Sequence, residues 1–418
     1  MKNTKLPLVL AGMLTLSTAS FADDKADIAE LKQQVKELQE MSQALVDETS
    51  DLKTGFNYTV VDDSKSYSGL GAAASKVYYS KSPLSIGGYG EMYYANTTKD
   101  GTTSSVIDVY RFVPYIGYKF SDNIILNTEI EFEHGGSKQS SNADLSGGYV
   151  IMEFMYLDFL FNDNLNARIG NMLLPMGLVN ERHEPTLFTT VQRPSTEKYL
   201  IPSTWSENGI MAYGNIIDGL VYKAGIFTSL NTDTDTKSWI RNGRAGTLKQ
   251  KNPNIAYTAR VDYTGLTGLL LGASVYGQDN LLMTDVHADY KVNGLRVYGL
   301  YTQTTRSNAT DFNATTAPES AQGGYVNLSY DVLATTNSKY SLPVFVQYEN
   351  VNTTATAAGT APVTTSAVGT TTVGLNFFPH EQVVLKVDYA MADNQYGTKS
   401  TDEKISSETL SVSMGFIF

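Results

Sequence analysis

The chain has 418 residues, 31 basic against 43 acidic, and not one cysteine. The acidic balance excludes a nucleic-acid binder, which needs a basic stripe to neutralise phosphates. Without thiols there is no disulfide scaffold, thiolate metal site or cysteine nucleophile.

At the start, Lys2 and Lys5 precede an apolar stretch from Leu6 to Leu16 broken only by Pro7, Gly12 and Thr15. Ser20 and Ala22 stand at the small positions of a cleavage site. The stretch falls short of the ~20 residues a membrane helix needs. Residues 1–22 therefore read as an export signal cut after Ala22.

Residues 23–53 carry a seven-residue repeat. Ile28, Val35, Ser42 and Thr49 form one series, and Leu31, Leu38, Leu45 and Leu52 the other. Spacings of three then four, with Glu and Lys on the flanks, predict a coiled coil. The alternative is one amphipathic helix packed on a neighbour. Polar Ser42 and Thr49 leave the number of strands in the coil open. Residues 54–83 show no period and read as a linker.

From Leu84 to Phe418 the period becomes two. Ile255, Tyr257, Ala259, Val261 and Tyr263 enclose Thr258, Arg260 and Asp262. Leu126, Thr128, Ile130 and Phe132 alternate with Glu129, Glu131 and Glu133. Soluble antiparallel sheets alternate in this way too. Segments of about ten residues, short turns alternating with long loops, and a chain that ends inside a strand favour a transmembrane barrel. The alternating Leu410, Val412, Met414, Phe416 and Phe418 resemble the sorting signal of outer-membrane barrels.

Sixteen strands are predicted, starting near Leu84, Val106, Asn123, Gly148, Asn164, Glu207, Leu220, Asn254, Leu269, Leu282, Leu295, Ala321, Tyr340, Ala367, Gln382 and Ile405. One further hairpin would make eighteen. The fold class is thus an all-β transmembrane barrel, residues 84–418, preceded by a short coiled coil. A barrel of sixteen strands encloses an aqueous channel, and something must narrow it. The third long loop, Pro175 to Ser206, holds Arg182, His183, Glu184, Arg193, Glu197 and Lys198, stiffened by Pro175, Pro185, Pro194 and Pro202. Folded inward it would set size and charge selection; the alternative is an outward loop packed on Leu187, Phe188 and Trp205.

At this loop the chain resembles the phosphate-selective porin O/P family. Ser85 to Glu91 (Ser-Ile-Gly-Gly-Tyr-Gly-Glu) is similar to that family's opening strand. Arg111-Phe112 and Glu129 to His134 are similar to its second and third strands. Asn180 to Pro185 and Ile201 to Trp205 are similar to its third-loop motifs. The resemblance implies sixteen strands, a homotrimer and a third loop at the constriction. Its phosphate selectivity does not carry over. Members have an arginine ladder, whereas the lumen face expected here mixes Arg111, Arg168, Lys223, Arg260, Arg296, Lys386 and His287 with Glu129, Glu131, Glu133, Asp262, Asp285, Asp289, Glu349 and Asp388. Arg111 is expected to pair with Glu131 or Glu133. The fourth loop gathers Lys237, Arg241, Arg244, Lys249 and Lys251, which would draw anions to the mouth, bind lipopolysaccharide, or simply be solvated.

The expected function is passive diffusion of ions and small hydrophilic solutes across the bacterial outer membrane, with a mild anion preference left open. The coiled coil would lie in the periplasm, with peptidoglycan a candidate partner. A barrel anchor carrying a tether or adhesin is the runner-up. An enzyme comes last: His134, His183, His287 and His380 are the available bases, His287 between Asp285 and Asp289 is the best of them, and no Gly-x-Ser-x-Gly elbow occurs. No metal site or cofactor is expected. Glu129, Glu131 and Glu133 lie along one strand with about 7 Å between neighbours, too spread for one cage without other strands.

Overall fold

The structure is a computed structural model that describes residues 32–43, 65–137, 145–232, 238–311, 317–358, 367–394 and 406–418. The export signal, the outer heptads and Lys237 lie outside the described residues. Residues 32–43 form a helix, α1, with Val35 and Leu38 of the two heptad series exposed. Gln33 donates to Glu37 one turn on.

The rest of the chain builds a closed antiparallel barrel in which each strand pairs with its sequence neighbours and β1 closes on β16. The strands are β1 Leu84–Lys99, β2 Thr102–Ser121, β3 Ile124–Glu133, β4 Val150–Leu160, β5 Asn166–Leu173, β6 Ser206–Ile217, β7 Leu220–Thr228, β8 Ile255–Tyr263, β9 Leu269–Gln278, β10 Leu281–Val292, β11 Leu295–Arg306, β12 Pro318–Asp331, β13 Pro343–Ala357, β14 Ala367–His380, β15 Val383–Asn394 and β16 Ser406–Ile417. All sixteen expected strands are present, and among the described residues the count is sixteen rather than eighteen. Turns and loops alternate between the two ends, although the β1–β2 and β9–β10 connections at the loop end are tight hairpins and the β12–β13 connection at the turn end is longer, residues 332–342.

Alternation sets the two faces. In β8, Ala256, Thr258, Arg260 and Asp262 are buried while Ile255, Tyr257, Ala259, Val261 and Tyr263 are exposed. Exposed Ile107, Ile169, Ile226, Val286 and Val326 continue the apolar outer face around the barrel. At the turn end Tyr118, Tyr263, Tyr290 and Tyr330 are exposed, where interfacial aromatics sit in membrane barrels. Closure leaves no strand edge with unpaired backbone groups, each of which would cost several kcal/mol in lipid.

The last residue takes part in that closure. Gly88 N–H donates to the Phe418 carbonyl and Phe418 N–H donates back, both at 2.9 Å. A side chain at Gly88 or Gly90 would collide with the rings of Phe418 and Phe416. The glycines of the opening strand thus make room for the terminal aromatics.

Within the stretch read as a linker, Ala72–Tyr79 form a helix, α2, packed inside the barrel on β1, β2 and β3. Ala72, Ala73, Ala74 and Val77 are buried. Gly117 on the inner face of β2 makes the fit possible, since a Cβ there would lie 2.5 Å from Val77. Asn127 of β3 donates to the Ala74 carbonyl at 2.9 Å, and Lys119 holds the Ser80 carbonyl at 2.7 Å.

Candidate functional site in the barrel lumen

The third loop, residues 174–205, runs across the lumen. Its neck is tied by Asn180, whose side-chain amide donates to the carbonyls of Leu174 and Trp205 and whose oxygen accepts from Trp205 N–H. Beyond the neck it meets inward side chains around most of the wall. Asp285 accepts from Gly177 N–H, Arg296 donates to the Leu187 carbonyl, and Lys386 donates to the carbonyls of Phe188 and Thr190. Asp388 accepts from Val191 N–H and Glu349 from Thr196 N–H, each at 2.6 Å.

The wall charges are therefore mostly buried, and they hold the loop instead of facing open water. A buried charge persists when paired and hydrogen-bonded. Lys223 reaches Glu181 at 2.6 Å. Arg260 pairs with Asp262 at 2.7 Å, Arg296 with Asp289 at 2.9 Å, and Arg168 with Asp158 at 2.9 Å. Arg111 corrects the sequence expectation. It lies opposite Glu133 in register but pairs with Glu91 of β1 at 2.8 Å. Glu131 is buried and Glu133 half-buried.

The six loop residues divide by role. His183, Glu184 and Glu197 are buried anchors. Glu184 accepts from Ala74 N–H of α2. Glu197 accepts from Leu178 N–H, Val179 N–H and the Tyr325 hydroxyl, and burial pushes its carboxyl up to about 7. Arg193 keeps Nε and Nη2 buried without a hydrogen-bond partner among the described residues. Lys198 is half-buried. Arg182 stays part-exposed, 3.8 Å from Asp289.

The fourth-loop cluster also differs from a set of free mouth charges. Arg241 donates to the carbonyls of Lys198 and Ser203, and Arg244 to those of Pro202 and Thr204. These arginines bind the fourth loop to the third, while Lys249 and Lys251 are exposed. His287 has both ring nitrogens facing carboxylates, Asp285 at 2.7 Å and Asp262 at 2.9 Å. Neither nitrogen is left for a nucleophile.

A cavity of about 780 Å³ remains at the turn end, between the wall and the segment leading into α2. Arg182, Lys223, Asp262, Tyr67, Tyr213 and Asn166 are among its lining residues. Sequence reasoning missed Glu91, Asp158, Glu181 and Glu153, each an acid that answers a buried base or joins a buried cluster.

No protein-family profile matches the sequence. Among solved structures, the barrel is similar to an anion-selective porin from Comamonas acidovorans, with a TM-score of 0.54 at 12% identity over 80% of this chain and 99% of that one. It is similar to OmpF of Salmonella typhi in complex with daunomycin, with a TM-score of 0.52 at 12% identity over 80% and 97%. The outer membrane channel DcaP of Acinetobacter baumannii gives 0.51 at 11% identity over 81% and 99%. At such identities the likeness is one of fold. An uncharacterized protein of Aquifex aeolicus is 34% identical over 358 residues, 79% of this chain and 80% of that protein. The chain belongs to one protein family with this Aquifex aeolicus protein, and it has the sixteen-stranded barrel fold of solved porins.

Proposed function

We propose that the protein is a channel of the bacterial outer membrane for ions and small hydrophilic solutes, narrowed by its third loop, and not an enzyme. The observation that carries this reading is the charged third loop laid across a closed barrel, with a cavity of about 780 Å³ left beside it. An apolar outside and a charged inside suit a water-filled path through lipid. Three porin-like neighbours in fold support the same reading. Arg182 and Lys223 stand against Asp262 in that cavity, so any anion preference set there is mild. The chain would assemble as a homotrimer, with the heptads in the periplasm near peptidoglycan and with lipopolysaccharide around the loop end.

Purified protein in planar bilayers should give discrete conductance steps. Folded barrels that insert without conducting would overturn the channel. They would favour a second reading, an anchor for the N-terminal helix, which the packing of α2 inside the barrel supports.

A further inference from the structure

A cluster between the wall and the third loop is not explained by anchoring alone. Glu129 of β3, Glu153 of β4 and His183 of the loop each offer a ligand atom, and these atoms all lie within 4.8 Å of one another. Glu129 and His183 are buried. The second carboxylate oxygens of Glu129 and Glu153 are also buried, with no hydrogen-bond partner among the described residues. Orphaned carboxylate oxygens out of water are costly, and the usual remedies are a proton or a cation.

How Glu153 reaches the cluster points to a ligand. Phe154 faces Glu129 across the sheet and Met152 faces Ile130, so the register slips by one residue at Glu153. This β-bulge brings in a side chain that strict alternation from Asp158, Tyr156 and Phe154 would send into lipid. Bulges re-aim side chains in this way next to functional sites.

His183 is prepared for the same task. Its Nδ1 lies 2.8 Å from the Asn180 carbonyl, which places a proton on Nδ1, and its Nε2 lies 3.0 Å from Glu129 Oε1. In the neutral ring two acceptors face each other there, at the spacing of adjacent ligands on one metal, each about 2.0–2.2 Å from the ion. A backbone carbonyl behind a histidine is a recurrent support for metal-ligating imidazoles. Thr204 donates its hydroxyl to Glu153 Oε1 and steadies the third ligand.

We propose that Glu129, Glu153 and His183 bind a divalent first-row metal ion of the Zn²⁺ class, which fastens the third loop to the barrel wall. Two carboxylates and one neutral imidazole neutralise such an ion and suit its nitrogen and oxygen preference. Ca²⁺ would need six to eight oxygens, more than this set offers.

The full chain, purified in detergent, stripped with chelator and dialysed against Zn²⁺, should retain about one ion per chain by elemental analysis. Glu153→Gln and His183→Gln should each weaken Zn²⁺ binding at least ~10-fold while the barrel keeps its heat-modifiable mobility on gels. His380→Asn, at the exposed β14–β15 turn, should leave binding unchanged. Should either ligand variant fail to fold, Co²⁺ loaded into the wild-type chain provides the test through visible bands of nitrogen- and oxygen-coordinated metal. A wild-type chain that holds no Zn²⁺ and shows no Co²⁺ bands would overturn the site and leave a proton shared between Glu129 and Glu153. Folded ligand variants that bind as tightly as wild type, loss of binding in His380→Asn, or equal affinity for Ca²⁺ would overturn it as well. None of these readings depends on conductance.

Discussion

Lys223 of β7 sets its ammonium 2.6 Å from both carboxylate oxygens of Glu181, and both side chains are buried. A strand residue predicted to line the pore is thus bound to a loop residue that crosses it. Breaking a buried pair from one side costs up to roughly 3–5 kcal/mol, and without Lys223 the Glu181 carboxylate keeps only the longer contact to Arg260 at 3.8 Å. Lys223→Met should therefore loosen the third loop, seen as faster proteolysis between β5 and β6 in detergent. The double variant Lys223→Met, Glu181→Leu should recover most of the loss. Equal damage in the two variants would mean the pair does not hold the loop.

Arg182 is a part-exposed cation of the third loop, and it lines the remaining cavity. Arg182→Glu should shift the reversal potential in a salt gradient toward cations. An unchanged reversal potential would take Arg182 off the conducting path. Arg193→Glu, by contrast, places an acid where two guanidinium nitrogens are buried, so it should disturb loop docking more than ion preference.

Glu197 links pH to the loop. Its folded value is raised from 4.5 to about 7 by burial, so the docked loop holds a proton that the free carboxyl has lost. Docking is favoured fully below about 4.5, and that contribution fades as pH rises through about 7. Hydrogen exchange of residues 174–205 should quicken across this window beyond its intrinsic pH dependence. Glu197→Gln should flatten the change, and a wild type showing no such window would contradict the assignment.

Gly117 is the seat of α2, and any side chain there meets Val77. Gly117→Leu should displace the helix from the lumen and raise single-channel conductance with the barrel intact. If conductance stays the same in a folded variant, α2 does not restrict the path.

Removing residues 26–53 should weaken the proposed trimer, read by chemical cross-linking in detergent. Trimers of unchanged stability would confine the heptads to another task, such as tethering.

The barrel was legible because period-two alternation is a local signal that survives sixteen repeats, and because most tight turns carry a Gly, Asn or Asp. The inside was harder to read. Helix α2 is only eight residues long and is covered on most sides, so Ala72-Ala73-Ala74 shows no amphipathic stripe. Arg111 and Lys223 do face the inside, but their partners Glu91 and Glu181 come from a strand already given another role and from a distant loop. Glu153 escaped notice because the bulge breaks the rule used to find its neighbours. An acid at a lipid-facing position was the clue available in the sequence.

The proposed channel requires each strand to turn its apolar side to lipid and its polar side to enclosed water. Ile226 and Val221 on β7 allow a direct test, since Ile226 lies exposed on the outer face and Val221 lines the cavity. The chain has no cysteine of its own, so Ile226→Cys and Val221→Cys can each carry one spin label in reconstituted membranes. The Ile226 label should be relaxed by oxygen dissolved in lipid and shielded from a water-soluble nickel chelate, while the Val221 label should be reached by the chelate. A chelate that relaxes the Ile226 label as readily as the Val221 label would contradict the inside-out barrel and the channel built on it.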